Sequence, residues 1–158
     1  MNLFAKDNKM RITQEELYVR VGGRPGIMEV MKLFYDKIYA DPWLKLFFSV
    51  VSQEHIENQQ ADFMTSCLGG PKKYCGRLPI PAHEHVFVTE ELFQARSKIL
   101  RESLDEAGLD PSVVEAWIKV DDAFKQGMVK SSMSECKKRF FTDEILNFKI
   151  PMQCELAV

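Results

Sequence analysis

His83 lies in the stretch Ile80-Pro81-Ala82-His83-Glu84-His85-Val86-Phe87-Val88-Thr89. It follows a proline-restricted approach and precedes an apolar run that ends at a helix start. Pro79 and Pro81 remove two N–H donors and restrict the backbone before them, which limits how regular that approach can be. A neutral imidazole can hold a metal through one ring nitrogen while the other donates to a carbonyl and fixes the ring. On a pocket wall, such a histidine can hold a haem iron. The competing reading is a loop histidine bonded to backbone, the commoner case without context. The chain has only two other histidines. His85 points elsewhere if the chain is locally extended and reads as a rim or surface residue. His55 falls off the inner face of its helix and is expected to be mostly solvated.

A second set of residues could meet a ligand from the other side. Ile56, Gln59, Gln60, Phe63 and Met64 share one helix face by spacing. Two adjacent glutamines on an apolar face are anomalous, because each amide gives up water and then needs a partner. Tyr35 is a phenol in the middle of another apolar stripe. Its O–H and the glutamine N–H groups, converging in a greasy cavity, could hold a small polar ligand. Iron-bound dioxygen carries partial negative charge, so such donors would slow its escape. The alternative is a buried Tyr–Gln pair that satisfies itself with no ligand. Phe47 and Phe48 read first as core, and equally as the aromatic wedge that a flat porphyrin needs.

These groups need a scaffold, and the periodicity supplies a helical one. Thr13-Gln14-Glu15-Glu16 is a capping box that starts a first helix, stopped by Gly22-Gly23. Pro25 suits the first turn of a second helix, whose Ile27, Val30, Met31, Phe34, Tyr35 and Ile38 form one stripe. That helix ends at Asp41-Pro42, and a short turn carries Trp43, Leu44, Phe47 and Phe48. The next begins near Ser52 and stops at Gly69-Gly70-Pro71. Residues 71–82, with three prolines and a glycine, read as an ordered loop rather than a helix. A loop that long usually serves a ligand or a partner. Thr89 caps a helix running to Gly108. Asp110-Pro111 opens the last long helix, with Val113, Val114, Trp117, Ile118, Phe124 and Met128 on its inner face. From Ser131 the pattern gives way to a basic and aromatic tail, in which Thr142-Asp143-Glu144-Ile145-Leu146 could form one more amphipathic turn.

Composition narrows the function classes. At 158 residues the chain fits one domain with a real core. Lys plus Arg, 21, nearly balances Asp plus Glu, 23, so no basic field exists for nucleic acid or an anionic membrane. No apolar run approaches the roughly 20 residues needed to span a bilayer, and residues 1–16 lack the apolar core of a signal peptide. Cys67, Cys75, Cys136 and Cys154 form no C-x-x-C pair, so a zinc knuckle or redox dithiol is not expected. Cys67 reads as a small buried hydrophobe. The expected setting is a reducing cytoplasm.

In order, Leu17-Tyr18…Gly22-Gly23, Phe34-Tyr35, Ala40-Asp41-Pro42…Phe47-Phe48, Gln59-Gln60…Phe63, Leu68-Gly69-Gly70-Pro71, Tyr74-Cys75-Gly76 and Ala82-His83…Val88-Thr89 resemble the truncated, two-over-two haemoglobins, most closely their group I branch. No single motif is specific; their joint order and spacing is. The likeness runs from about Glu16 to about Met128. It implies an all-α, globin-like sandwich around haem b, with a truncated globin domain at 14–130 between an N-terminal extension at 1–13 and a C-terminal extension at 131–158.

Carried over residue by residue, the resemblance makes His83 the proximal iron ligand, Tyr35 the distal tyrosine and Gln60 the distal glutamine. Gln59 falls near the pocket mouth and Ile56 at the distal position where ligands enter. Phe48 becomes the phenylalanine packed on the haem. Phe63, Met64, Val88 and Phe93 line the pocket, and Tyr74 lies near the propionates. The resemblance implies reversible binding of dioxygen, nitric oxide or carbon monoxide. In many members it also implies oxidation of nitric oxide to nitrate, which needs a reductase to recycle the iron. Because no histidine or lysine occupies the inner distal face, a five-coordinate ferrous haem is expected. The second class of function is a gas sensor or binding module signalling through residues 131–158. A third is a haemless helical interaction protein. Three departures stand out. Cys75 replaces a frequent threonine, residues 131–158 run past the usual end, and Arg96 occupies a generally apolar position. The favoured reading for Arg96 is that its head snorkels into water; the alternatives are contact with a propionate or an altered ligand path.

Overall fold

The computed structural model describes residues 11–152. Most of the N-terminal extension, the end of the tail and Cys154 lie outside the described residues. Thr13 caps α1 (Gln14–Arg20) through the full capping box, its hydroxyl accepting from the Glu16 N–H while Glu16 reaches back to the Thr13 N–H. Gly22, at φ +86°, makes the left-handed corner into α2 (Gly23–Ala40). Gly26 is needed there for a different reason. A Cβ on it would sit 1.7 Å from the Val21 carbonyl oxygen, so α1 and α2 can approach this closely only over bare backbone.

The expected α2 stripe is the centre of the core: Ile27, Val30, Met31, Phe34, Tyr35 and Ile38 are all buried. One side of α2 packs on α3 (Gln53–Cys67), capped by Ser52, and another on α5 (Glu90–Glu106), capped by Thr89. A 3-10 turn, Leu44–Phe48, bridges α2 and α3. Asp110 caps α6 (Pro111–Ala123), which contacts α1. The expected last helix breaks at Phe124, and α7 (Lys125–Met128) continues it. Trp117 and Val113 are buried on its inner face.

Two expectations fail locally. Residues 79–82 form a turn of helix, α4 (Pro79–Ala82), inside the loop read as non-helical. Both prolines fall in its first turn, where missing N–H groups would have no helical partner anyway. Residues 142–146 do not coil into a helical turn. Leu146 instead pairs in parallel with Val86, donating to the His85 carbonyl and accepting from the Phe87 N–H, both at 2.9 Å. Phe148 then lies 5.0 Å from Phe47, and its carbonyl accepts from the Trp43 indole N–H at 2.8 Å. Among the described residues this bridge is isolated and Cys67, Cys75 and Cys136 are free. Cys67 is half-buried rather than buried. No described helix is long and apolar enough to cross a membrane.

Candidate functional site

Tyr35 is 5% exposed, and its ring is edge-on to Phe48 at 5.9 Å and 6.5 Å from Tyr39. Tyr39 donates its O–H to the Val51 carbonyl at 2.7 Å. Among the described residues Tyr35 has no such partner, and neither do the side-chain amides of Gln59 and Gln60, and none of these polar atoms is fully enclosed. The self-satisfied Tyr–Gln pair is therefore not what the fold builds. Both glutamines are half-buried on α3, as is Ile56 one turn earlier, while His55 is exposed as expected. Burial pushes the Tyr35 phenol well above its ordinary pKa, against an opposing pull from Arg96, so it stays a proton donor at all ordinary pH. Phe63 and Met64 are buried on α3, with Tyr74 5.3 Å from Phe63. The Tyr74 O–H is occupied within its own loop, donating to the Arg77 carbonyl at 2.6 Å.

His83 caps the C-terminus of α4, and its Nδ1 lies 2.6 Å from the Pro79 carbonyl oxygen. A carbonyl only accepts, so Nδ1 carries the proton and Nε2 keeps its lone pair. Burial drives the ring's pKa from the usual 6.5 to about 4, the Pro79 bond opposing. Although the residue retains some exposed surface, the imidazole is neutral at physiological pH. The backbone-bonded reading of this histidine and the ligand reading are thus compatible. One nitrogen takes the carbonyl and the other is left for a metal.

The residues expected on the distal and proximal sides fall in two apolar clusters that meet at Phe47. Tyr35, Phe63 and Met64 belong to the large core, with Phe48, Ile56 and Tyr74 packed against it. Val88 and Phe93 form a small second cluster with Val86, edged by Phe47, Val129 and Leu146. Arg96 spans the gap, its guanidinium 5.4 Å from the centre of the Phe34 ring on one side and 5.9 Å from Phe93 on the other. Its head is ion-paired to Asp121 at 2.8 Å, and the Asp121 side chain is only 15% exposed. The snorkelling reading is thus overturned. Asp121 had a sequence signal that went unread: it stands four residues after Trp117, on the same face as the buried Val113 and Trp117. An acid on one inner stripe facing a base on another is a pair.

His85 sits at the rim, one of the two places expected for it. It is half-buried, and its Nδ1 is enclosed without a hydrogen-bond partner among the described residues. Burial, followed by the nearby Arg139 guanidinium, lowers its pKa. Two surface clefts, of about 440 and 510 Å³, lie elsewhere, and neither is lined by Tyr35, Gln60 or His83.

An all-helical core that buries an unpaired phenol and anchors a neutral imidazole is consistent with a globin. Residues 16–130 match the bacterial-like globin family. The chain belongs to that family, among the group 1 truncated haemoglobins. It is 31% identical over 115 residues to the group 1 truncated haemoglobin of Tetrahymena pyriformis, covering 73% of this chain and 95% of that one. To the Tetrahymena thermophila protein it is 32% identical over 107 residues, covering 68% and 88%. The crystal structure of the T. pyriformis truncated haemoglobin in its Fe(III) form superposes with a TM-score of 0.66 over 73% of this chain and 98% of that chain. The all-α globin fold expected from the sequence is therefore present, and the protein is a haem-binding protein that binds gases.

Proposed function

We propose that His83 ligates the iron of haem b through Nε2, and that Tyr35 and Gln60 donate to a diatomic ligand on the opposite face. The observation that carries this reading is the anchored, neutral His83 ring, whose proton is committed to Pro79 and whose other nitrogen is left for a metal. The residues fit the group in two further respects. Among the described residues the distal donors have no protein partner to compete with a ligand, and two apolar clusters, joined at Phe47 and bridged by Arg96, flank the place a flat macrocycle would take. Phe48 and Phe63 on one wall and Val88 and Phe93 on the other would exclude water from it. Gln59 and Ile56 would stand where ligands enter, and Tyr74 would pack at the rim.

When bound, haem supplies an iron that takes up dioxygen, nitric oxide or carbon monoxide. The chain's share is to orient and retain. Pro79 fixes the imidazole plane. The Tyr35 hydroxyl, held as a donor by its raised pKa, and the Gln60 amide would favour a ligand carrying partial negative charge. A ligand retained that long could meet nitric oxide, so oxidation of nitric oxide to nitrate is the reaction proposed, with an unidentified reductase returning the iron to its ferrous state. Visible spectra of the purified protein, oxidised, reduced and with carbon monoxide, test the reading. A five-coordinate ferrous spectrum converted by carbon monoxide is expected, whereas a colourless protein that rejects added haemin refutes it. Mixing the oxygenated form with nitric oxide should yield stoichiometric nitrate within the mixing time; slow decay would remove the enzymatic part.

A further inference from the structure

The segment that carries His83 is poor in internal hydrogen bonds, because α4 is one turn long and residues 84–88 are not helical. Backbone carbonyls at this depth need partners. Those of His83 and Val86 have partners inside the segment, accepting from the Val86 and Val88 N–H groups at 3.0 and 2.9 Å, and others find theirs in a part of the chain that lies at and beyond the end of the globin match at residue 130. The Ala82 carbonyl accepts from Arg139 Nη1 at 3.2 Å, Glu84 from the Lys137 N–H at 2.8 Å, and His85 from the Leu146 N–H at 2.9 Å. Lys130 contributes most. Its backbone N–H donates to the Val88 carbonyl at 2.8 Å, while its ammonium donates to the carbonyls of His83 at 3.1 Å, Val86 at 2.9 Å and Met128 at 3.3 Å.

An ammonium has three donors, and here all three go to backbone oxygens; no carboxylate is ion-paired with Lys130 among the described residues. A lysine whose charge is met by carbonyl dipoles holds those carbonyls in a fixed relation. One of them belongs to His83 itself. The imidazole is therefore pinned from two directions, through Nδ1 by Pro79 within α4 and through its own backbone by Lys130. The far end of the same strap reaches the 3-10 turn that carries Phe48, through Phe148 against Phe47 and the Trp43 indole.

We propose that residues 130–146 are a built-in brace for the proximal histidine, with Lys130 as the positioning residue that sets the tilt and freedom of the His83 imidazole against the iron. This rests on the reading of His83 as the iron ligand. Such a brace would act through the bond His83 would make to the iron, since a ring held at a fixed angle has less freedom to adjust. Removing it should let the imidazole relax and alter both the strength of that bond and the rate at which a ligand leaves.

The test compares wild type, Lys130→Met, Lys130→Arg and, as a surface control, Lys125→Met, all in the full-length chain. Lys125 is ion-paired to Glu90 outside the brace. In the full-length protein as purified, amide exchange at Val86, Phe87 and Leu146 should quicken roughly tenfold or more in Lys130→Met, as expected for losing charged hydrogen bonds. Exchange in Lys130→Arg should fall between that and wild type. In the deoxy-ferrous protein, the iron–histidine stretching band should shift in Lys130→Met, return toward wild type in Lys130→Arg and stay put in Lys125→Met. Faster exchange with an unmoved band would overturn the positioning role and leave only a structural strap. Unchanged exchange would overturn the brace itself. Absence of the band in every form, wild type included, would refute His83 as the ligand and take this proposal with it.

Discussion

Replacing Tyr35 by phenylalanine separates a ligand-holding role from a structural one, because the two roles predict opposite results. The ring is buried against Phe34 and Phe48, and phenylalanine keeps those contacts. The hydroxyl bonds to nothing among the described residues, so its loss breaks no protein hydrogen bond. The hydroxyl is not among the fully enclosed unpartnered atoms, so water reaches it in the haem-free protein and the haem-free variant should be about as stable as wild type. Tyr39→Phe is the internal control. It deletes a 2.7 Å bond to the Val51 carbonyl and should cost about 1 kcal/mol. With ligand bound the order reverses. A hydrogen bond to a partly charged dioxygen is worth about 1.5–3 kcal/mol, which predicts dioxygen dissociation about 10- to 150-fold faster in Tyr35→Phe. Tyr39→Phe should stay near the wild-type rate. Urea unfolding of the haem-free proteins and stopped-flow displacement of dioxygen by carbon monoxide provide the two readings. A Tyr35→Phe protein that loses as much stability as Tyr39→Phe yet releases dioxygen at the wild-type rate would refute the reasoning.

Three further predictions come from the same structure. Arg96→Met leaves Asp121 without its partner; a fully buried pair would cost about 3–5 kcal/mol, but a third of Arg96 is exposed, so about 1–2 kcal/mol is expected in urea unfolding. Asp121→Leu added to Arg96→Met should recover most of that loss, and an additive double mutant would count against the pair. Since folding depresses the pKa of His83 from 6.5 to about 4, the unfolded chain binds the proton first as pH falls. In the haem-free chain, stability contributed by the neutral ring is present above 6.5 and is lost progressively down to about 4, and His83→Gln should flatten the urea midpoint across that window. Gly26→Ala puts a methyl against the Val21 carbonyl and should destabilise by about 3 kcal/mol, whereas an equal wild-type midpoint would show that the α1–α2 corner yields freely.

Legibility of the fold followed from whether a residue's role was decided by its neighbours in sequence. Thr13, Ser52, Thr89 and Asp110 cap helices through residues two or three positions away, so their types announced the elements. The α2 stripe was legible because burial repeats with the helical period. The pairing of Leu146 with Val86 was not, since it joins segments 60 residues apart in a stretch whose local pattern favoured a helical turn. Arg96 was misread for a related reason: taken alone on its helix, a long cation on an apolar stripe has only water to reach. Asp121 supplies the missing partner from α6. Of the site itself, His83 could be named from its prolines and following cap, yet the sequence held no sign that Pro79 takes its Nδ1 or that Lys130 holds its carbonyl. The first bond depends on α4, which the prolines argue against and in fact start.

His83 carries the central claim, and replacing it with glycine tests that claim most directly, by visible absorption in the ferrous state with and without carbon monoxide and with free imidazole added back. Loss of the native bands on substitution and their return with imidazole is the predicted result. Bands and carbon monoxide uptake that stay the same through substitution and rescue would contradict it.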